Sequence, residues 1–291
     1  MQSQSHGPFA YSAIIDRPPL RWPKGAHVAV WIIPNIEFCH LDQPIPHEPK
    51  FFPNVQAWSH RDYGNRVGVF RFMDVLSERN IRATVALNSD VCLFHPRVVE
   101  RGVELKWEFM GHGRTNSRAL HLYPPEEEAD VIRTALATIS KATGVRPKGW
   151  LGSGMHETWE TLDILAAEGV RYVGDWINDD QPYVMNIGNP PLVSIPYSLE
   201  LNDVRQVKSG GKSAREFEEM IKDQFEALYR EGSKSGRVMA IALHPYVMGM
   251  PHRIGALERA LDFIAKHEHV WFATGGEIVE AYLEQIDSDK R

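Results

Sequence analysis

Residues 238–246 read Val-Met-Ala-Ile-Ala-Leu-His-Pro-Tyr, and they decide the fold. Six apolar residues in succession have the length and character of a strand buried on both faces. Pro245 then removes a backbone donor and pushes the preceding residue out of helical geometry. His244 therefore sits at the carboxyl end of a buried strand, where α/β folds place their chemistry. Five further stretches read as strands: 28–33, 83–87, 105–110, 170–174 and 270–273. Shorter strands are expected at 149–152 and 192–195. Helical periodicity marks residues 64–80, 126–142, 158–168 and 255–267 between them. Ser213 with Glu216, and Thr274 with Glu277, are capping-box patterns that open two more helices.

Strands that alternate with helices imply a parallel sheet, and seven or eight such units in this length imply a closed or nearly closed β/α barrel. Neither a linker nor an internal repeat divides the chain. The expected organisation is an N-terminal arm over 1–26 and a single barrel domain over 27–291. Residues 39–62 are rich in Pro, His and Asp without a helical period. They read as a long functional loop, a lid or a wall.

Composition narrows the function. The 291 residues are 43% hydrophobic and carry a net charge of −6, with no basic stretch. Nucleic acid and anionic membranes are poor partners for such a chain. Two cysteines, Cys39 and Cys92, are too few for a disulfide framework. The first residues lack a secretory pattern and no apolar run approaches 18 residues, so a cytoplasmic location is the expectation. There is no Gly-rich phosphate loop and no Gly-x-Ser-x-Gly elbow.

The polar residues just past each strand are more specific. The strand ends carry, in order, Asn35 and Glu37; Asn88 and Asp90; His112 and Asn116; Ser153 and His156; Asp175, Trp176, Asp179 and Asp180; Tyr197; and His244, Tyr246 and His252. On a barrel these line one rim. Carboxylates with imidazoles are the tools of acid–base hydrolysis.

The motifs in order resemble the polysaccharide deacetylase (NodB-homology) superfamily, and within it the branch of metal-independent allantoinases and cyclic imide hydrolases. The resemblance spans about residues 20–285 and rests on Arg21-Trp-Pro-Lys-Gly-Ala26, Asn35-Ile-Glu37, Tyr63-Gly-Asn-Arg66-Val-Gly68 with Arg71, Glu108-Phe-Met-Gly-His-Gly113, Gly174-Asp-Trp176 with Asp179-Asp180, and Leu243-His-Pro245. It implies an α/β fold, a distorted (β/α)7–8 barrel of the NodB-homology type. It also implies hydrolysis of a C–N amide, imide or ureide bond in a small molecule, in a homo-oligomer.

Departures from the superfamily's pattern bear on cofactors. The deacetylases carry Thr-Phe-Asp-Asp-Gly after the first strand, where this chain has Pro34-Asn-Ile-Glu-Phe38. They carry two His four apart, where this chain has His112 and Asn116. Gly149-Trp-Leu-Gly-Ser153 departs from a further motif. No cofactor is the expectation; a divalent metal such as zinc, if bound, would fall to Glu37, His112 and Asn116. The resemblance implies His244 as general acid to the leaving nitrogen. It is joined by Glu37 as base or water-orienter, His112 contacting water or carbonyl, and Asp180 or Asp175 orienting His244. Arg66 is expected to bind a carbonyl or carboxylate. Asn35, Asn116, Ser153, Tyr246 and His252 complete the substrate rim, with Trp176 as a pocket wall. A metal-dependent N-deacetylase of a carbohydrate or amino sugar, and a non-catalytic small-ligand binder, stay open as alternatives.

Overall fold

A computed structural model describes residues 7–46 and 48–288, so residues 1–6 of the expected arm and 289–291 of the barrel lie outside it. The strands are β1 (Val28–Ile36), β2 (Thr84–Leu87), β3 (Glu108–Gly111), β4 (Gly149–Trp150), β5 (Tyr172–Val173), β6 (Tyr183–Gly188), β7 (Pro191–Ser194), β8 (Arg237–Leu243) and β9 (Val270–Phe272). They form one curled sheet in the order β6-β7-β5-β4-β3-β2-β1-β8, with β9 also on β1. Every pairing is parallel except the β6–β7 hairpin. This is the distorted half-barrel of the NodB type.

The centre is the β1–β8 pair, in register from Val28 opposite Arg237 to Pro34 opposite Leu243. Both strands are buried at every position. Successive side chains point to opposite faces. Val28, Val30 and Ile32, with Met239, Ile241 and Leu243, pack outward against Phe72, Phe217, Phe225 and Leu257 of the helices. Ala29, Trp31 and Ile33, with Val238, Ala240 and Ala242, face the barrel interior beside Tyr172 and Tyr197. The small alanines of β8 stand opposite the aromatic rings, which is how a narrow barrel is filled.

Several expectations shift in detail. Pro34 does not end β1; the strand continues to Ile36, where it pairs with Leu87 of β2. β3 starts at Glu108, because Lys106 adopts a positive φ of 57° in the turn before it. β6 is an additional strand; its two faces are only partly buried, so it lacks the continuous apolar run of the others. The last third of the 39–62 loop is helical: Asn54 caps the helix Val55–Tyr63 by accepting the Ala57 N–H at 3.2 Å. That helix buries Arg61 rather than an apolar stripe, so no hydrophobic period announces it.

Both predicted capping boxes form, at Ser213 with Glu216 and at Thr274 with Glu277. The barrel is not closed by a ladder. Between β7 and β8 the only pairing among the described residues is the bridge of Asn202 with Ala242. Below it, Val238 donates to the Asp180 carbonyl at 2.9 Å.

A π-helical turn, Gly64–Gly68, joins the helix Val55–Tyr63 to the helix Val69–Glu78 and lies directly on the 245–249 turn. A Cβ on Gly64 would stand 2.7 Å from the Tyr246 nitrogen, and one on Gly68 would overlap the Pro245 carbonyl oxygen. Backbone meets backbone here, which only glycine allows. Gly68→Ala is expected to destabilise the fold by about 1–3 kcal/mol, the usual cost of overpacking. Chemical denaturation would show this, and unchanged stability would mean that the turn is free to shift.

Candidate active site

β1, β3 and β8 deliver the three central side chains from their carboxyl ends. Glu37 follows β1, His112 follows β3 and His244 follows β8. Their side chains are 10, 3 and 7% exposed, so charge acts here with little solvent screening. Glu37 Oε1 lies 3.4 Å from His244 Nε2 and 3.9 Å from His112 Nε2. The other carboxylate oxygen, Oε2, accepts from Arg61 Nη1 at 2.6 Å. The Glu37 carbonyl accepts from Asn65 Nδ2 at 2.8 Å, so the residue is held by backbone and side chain together.

His244 is clamped by Asp203. Its Nδ1 bonds Asp203 Oδ1 at 2.6 Å, and its backbone N–H donates to Oδ2 at 2.8 Å. Asp203 is fully buried and also accepts from the Met248 N–H at 3.3 Å. Burial alone would lower the His244 pKa, but the Asp203 and Glu37 carboxylates outweigh it and raise it to about 9. At neutral pH His244 is an imidazolium. Burial alone would likewise raise the Glu37 carboxyl, but the positive charges of His244 and Arg61 hold it well below the usual carboxylate range.

His112 is fixed from both ends. Its Nδ1 bonds the Leu151 carbonyl, while its own carbonyl accepts from Ser153 Oγ at 2.7 Å and from Asn88 Nδ2. Ser153 therefore supports His112. Asn35 is buried in β1, donating to the Ile33 carbonyl at 3.1 Å and facing Tyr197 Oη. Tyr246 lies under the Arg61 guanidinium at 4.7 Å and Lys208 Nζ at 5.4 Å, and edge-on to His244. The Asn116 N–H donates to the Phe38 carbonyl beside Glu37, and its Oδ1 is buried without a hydrogen-bond partner among the described residues.

Three expectations are corrected. Asp180 does not orient His244: it is exposed, and its carbonyl pairs with Val238 at the foot of β8, about 20 Å along the strand from His244. Asp179 is tied to Arg17 of the arm at 2.6 Å, and Asp175 accepts the Gly152 N–H at 2.8 Å. Asp175 thus braces the segment that holds His112, beside Glu157, whose carboxyl burial pushes up to about 7. Arg66 is not in the site: its side chain is exposed and pairs loosely with Asp62, and Arg61 takes its place. His252 is exposed on the turn before the helix Ile254–Ala265. Trp176 packs edge-on against Phe9 of the arm.

Arg61 and Asp203 escape sequence reading. Leu201-Asn-Asp-Val204 lies several residues past the strand 192–195, beyond the short stretch read as its rim, so nothing marks Asp203 as a rim residue. Arg61→Met would leave the buried Glu37 carboxylate without its strongest hydrogen bond. It is expected to cost about 3–5 kcal/mol in a denaturation experiment; a loss near zero would show that solvent already reaches the pair.

The residues do not fit zinc. Zinc takes about four tight ligands from thiolate, imidazole and carboxylate. Here the carboxylate is already matched by Arg61 and by the His244 imidazolium, and the position after His112 offers only the Asn116 amide. One imidazole nitrogen remains. No group of three His, Cys, Asp or Glu among the described residues could hold a metal.

Fold and site together define an acid–base centre at the rim of a half-barrel. The chain is similar along most of its length to proteins named polysaccharide deacetylases, in keeping with the NodB-homology resemblance. A putative polysaccharide deacetylase of Schizosaccharomyces pombe is 26% identical, over 90% of this chain and 92% of its own. A probable polysaccharide deacetylase from Pseudomonas aeruginosa is 27% identical and superposes with a TM-score of 0.84, over 92% of this chain and 95% of its own. The Puue allantoinase is 26% identical with a TM-score of 0.84, over 92% and 94%. No family model matches the chain. No described helix is long and apolar enough to cross a membrane.

Proposed function

We propose that this protein is a hydrolase of a C–N amide, imide or ureide bond in a small molecule, of the allantoinase or cyclic-imidase kind. One observation carries the reading. A buried imidazolium, His244, is held by Asp203 against the Glu37 carboxylate, with a second imidazole across from it. An imidazolium so placed can give its proton to a departing nitrogen, which is the difficult half of breaking a C–N bond. The buried Glu37 Oε1 and His112 Nε2 face one another across 3.9 Å, so a water held against either atom is within reach of both. Tyr246 and Asn35 line the same rim. The likeness to an allantoinase supports this reading; other relatives are named polysaccharide deacetylases, and the donor set disfavours a zinc-dependent reaction of that kind here.

The test is a substrate panel run on metal-analysed protein: allantoin, hydantoin, succinimide, formamides and N-acetylated amino sugars. Turnover of a cyclic imide or ureide that survives chelation is the expected result. Zinc-dependent release of acetate from an amino sugar would replace the proposal with deacetylation. Turnover of nothing on the panel would leave a ligand-binding relative.

A further inference from the structure

We infer that His112, and not Glu37, takes the proton from the attacking water, and that Glu37 returns it to His244. The inference rests on the hydrolase reading and assigns its proton route.

Counting hydrogens gives the route. The Leu151 carbonyl oxygen can only accept, so the His112 nitrogen bonded to it, Nδ1, carries the hydrogen. The neutral ring then presents a bare lone pair at Nε2. That atom is buried and has no hydrogen-bond partner among the described residues. A buried acceptor left without a partner costs about 1–3 kcal/mol, so it is a waiting site for a donor. Glu37 is differently placed. One of its oxygens is committed to Arg61 at 2.6 Å and the other faces the His244 ring. It is an anion already matched by two cations, so it passes a proton on rather than keeping one.

Atoms and electrons balance along this route. Water gives one hydrogen to His112 Nε2, and its oxygen bonds to the carbonyl carbon while the C=O π pair moves to oxygen. As that pair returns, the C–N bond breaks. The nitrogen keeps the bonding pair and takes the proton from His244 Nε2. The products are a carboxylic acid and an N–H compound. His112 is left protonated and His244 neutral.

Glu37 Oε1 stands 3.9 Å from the first ring nitrogen and 3.4 Å from the second. Both gaps are only slightly longer than a good direct hydrogen bond, so a small rotation of either ring brings this oxygen within reach. The surplus proton passes from His112 to His244 past this one oxygen, and the centre is reset without involving any other titrating group.

Nitrogen-15 NMR of the wild-type protein tests the resting state without any substrate. His112, identified by the loss of its signal in His112→Asn, is expected as the Nδ1–H tautomer with bare Nε2. A protonated Nε2 at neutral pH overturns the inference. His112→Asn retains a donor for the Leu151 carbonyl, so the fold is kept, but it has no base. On whichever panel substrate the wild type turns over, it should lose on the order of 10²–10⁴-fold in kcat. His112→Gly should regain part of its rate when imidazole is added, and not when formate is. A His112→Asn protein as active as wild type, or a His112→Gly protein rescued by formate alone, overturns the inference. Failure of the hydrolase reading shows separately, as a wild type that turns over nothing.

Discussion

Replacing Asp203 by asparagine is expected to lower kcat by on the order of 10³–10⁴-fold, the scale seen when the carboxylate behind a catalytic histidine becomes an amide. The geometry explains why the loss should be so large. Asp203 Oδ1 is the acceptor for the His244 Nδ1 hydrogen at 2.6 Å. An amide in the same place removes a buried negative charge. If its NH2 turns toward the ring, it also asks Nδ1 to become an acceptor. The proton at Nε2 is then held less firmly, or the ring flips its tautomer. Oδ2, which takes the His244 and Met248 N–H groups, has an equivalent in the amide oxygen, so the turn survives. Activity should therefore fall with little change in stability. Steady-state kinetics beside a denaturation curve checks both, and a variant within tenfold of wild type would remove Asp203 from the mechanism.

The second large effect concerns His244 and pH. His244→Ala should cost on the order of a hundredfold or more in rate, because the leaving nitrogen loses its acid. In the wild type the acid disappears when the ring is titrated. The folded-state pKa is raised from 6.5 to about 9. A raised pKa means that the folded protein holds the proton more tightly than the unfolded chain. The stabilisation is thus fully present below about 6.5 and is lost as pH rises through about 9. Activity and stability should decline together on the alkaline side. Activity still rising at pH 10 would show that neutral His244 is the working form. In the Asp203→Asn protein the alkaline limb should move to lower pH, since the first of the two carboxylates that raise the pKa is gone.

Much of this centre is legible in the chain because of how barrels are built. Strands buried on both faces must be continuous apolar runs, so 238–243 and 28–33 announce themselves, and a polar residue at their carboxyl ends is a rim residue. Glu37, His112 and His244 are found that way. Asp203 is not, because its position depends on a single long-range pairing, Asn202 with Ala242, that leaves no periodic trace. Asp180 misleads for a related reason. After β5 the chain runs back to the foot of β8, so proximity in sequence to the rim residues Asp175 and Trp176 is not proximity in space. Arg66 stands in for Arg61 in a sequence reading because it lies inside the Tyr63–Gly68 motif that carries the resemblance, while Arg61 lies outside it. In the structure Arg66 lies exposed in that turn, while Arg61 is buried on the helix before it.

The open seam between β7 and β8 has a kinetic consequence. A strand pair with seven residues in register opens only with the whole fold, whereas a one-residue stitch can open by itself. The amide of Ala242, which donates to the Leu201 carbonyl at 2.9 Å, should exchange with deuterium sooner than the β8 amides that bond to β1. Asp203 is two residues beyond Leu201, so an opening that carries this segment outward also draws the carboxylate from His244. The clamp on the catalytic acid thus hangs on a one-residue pairing rather than on a ladder.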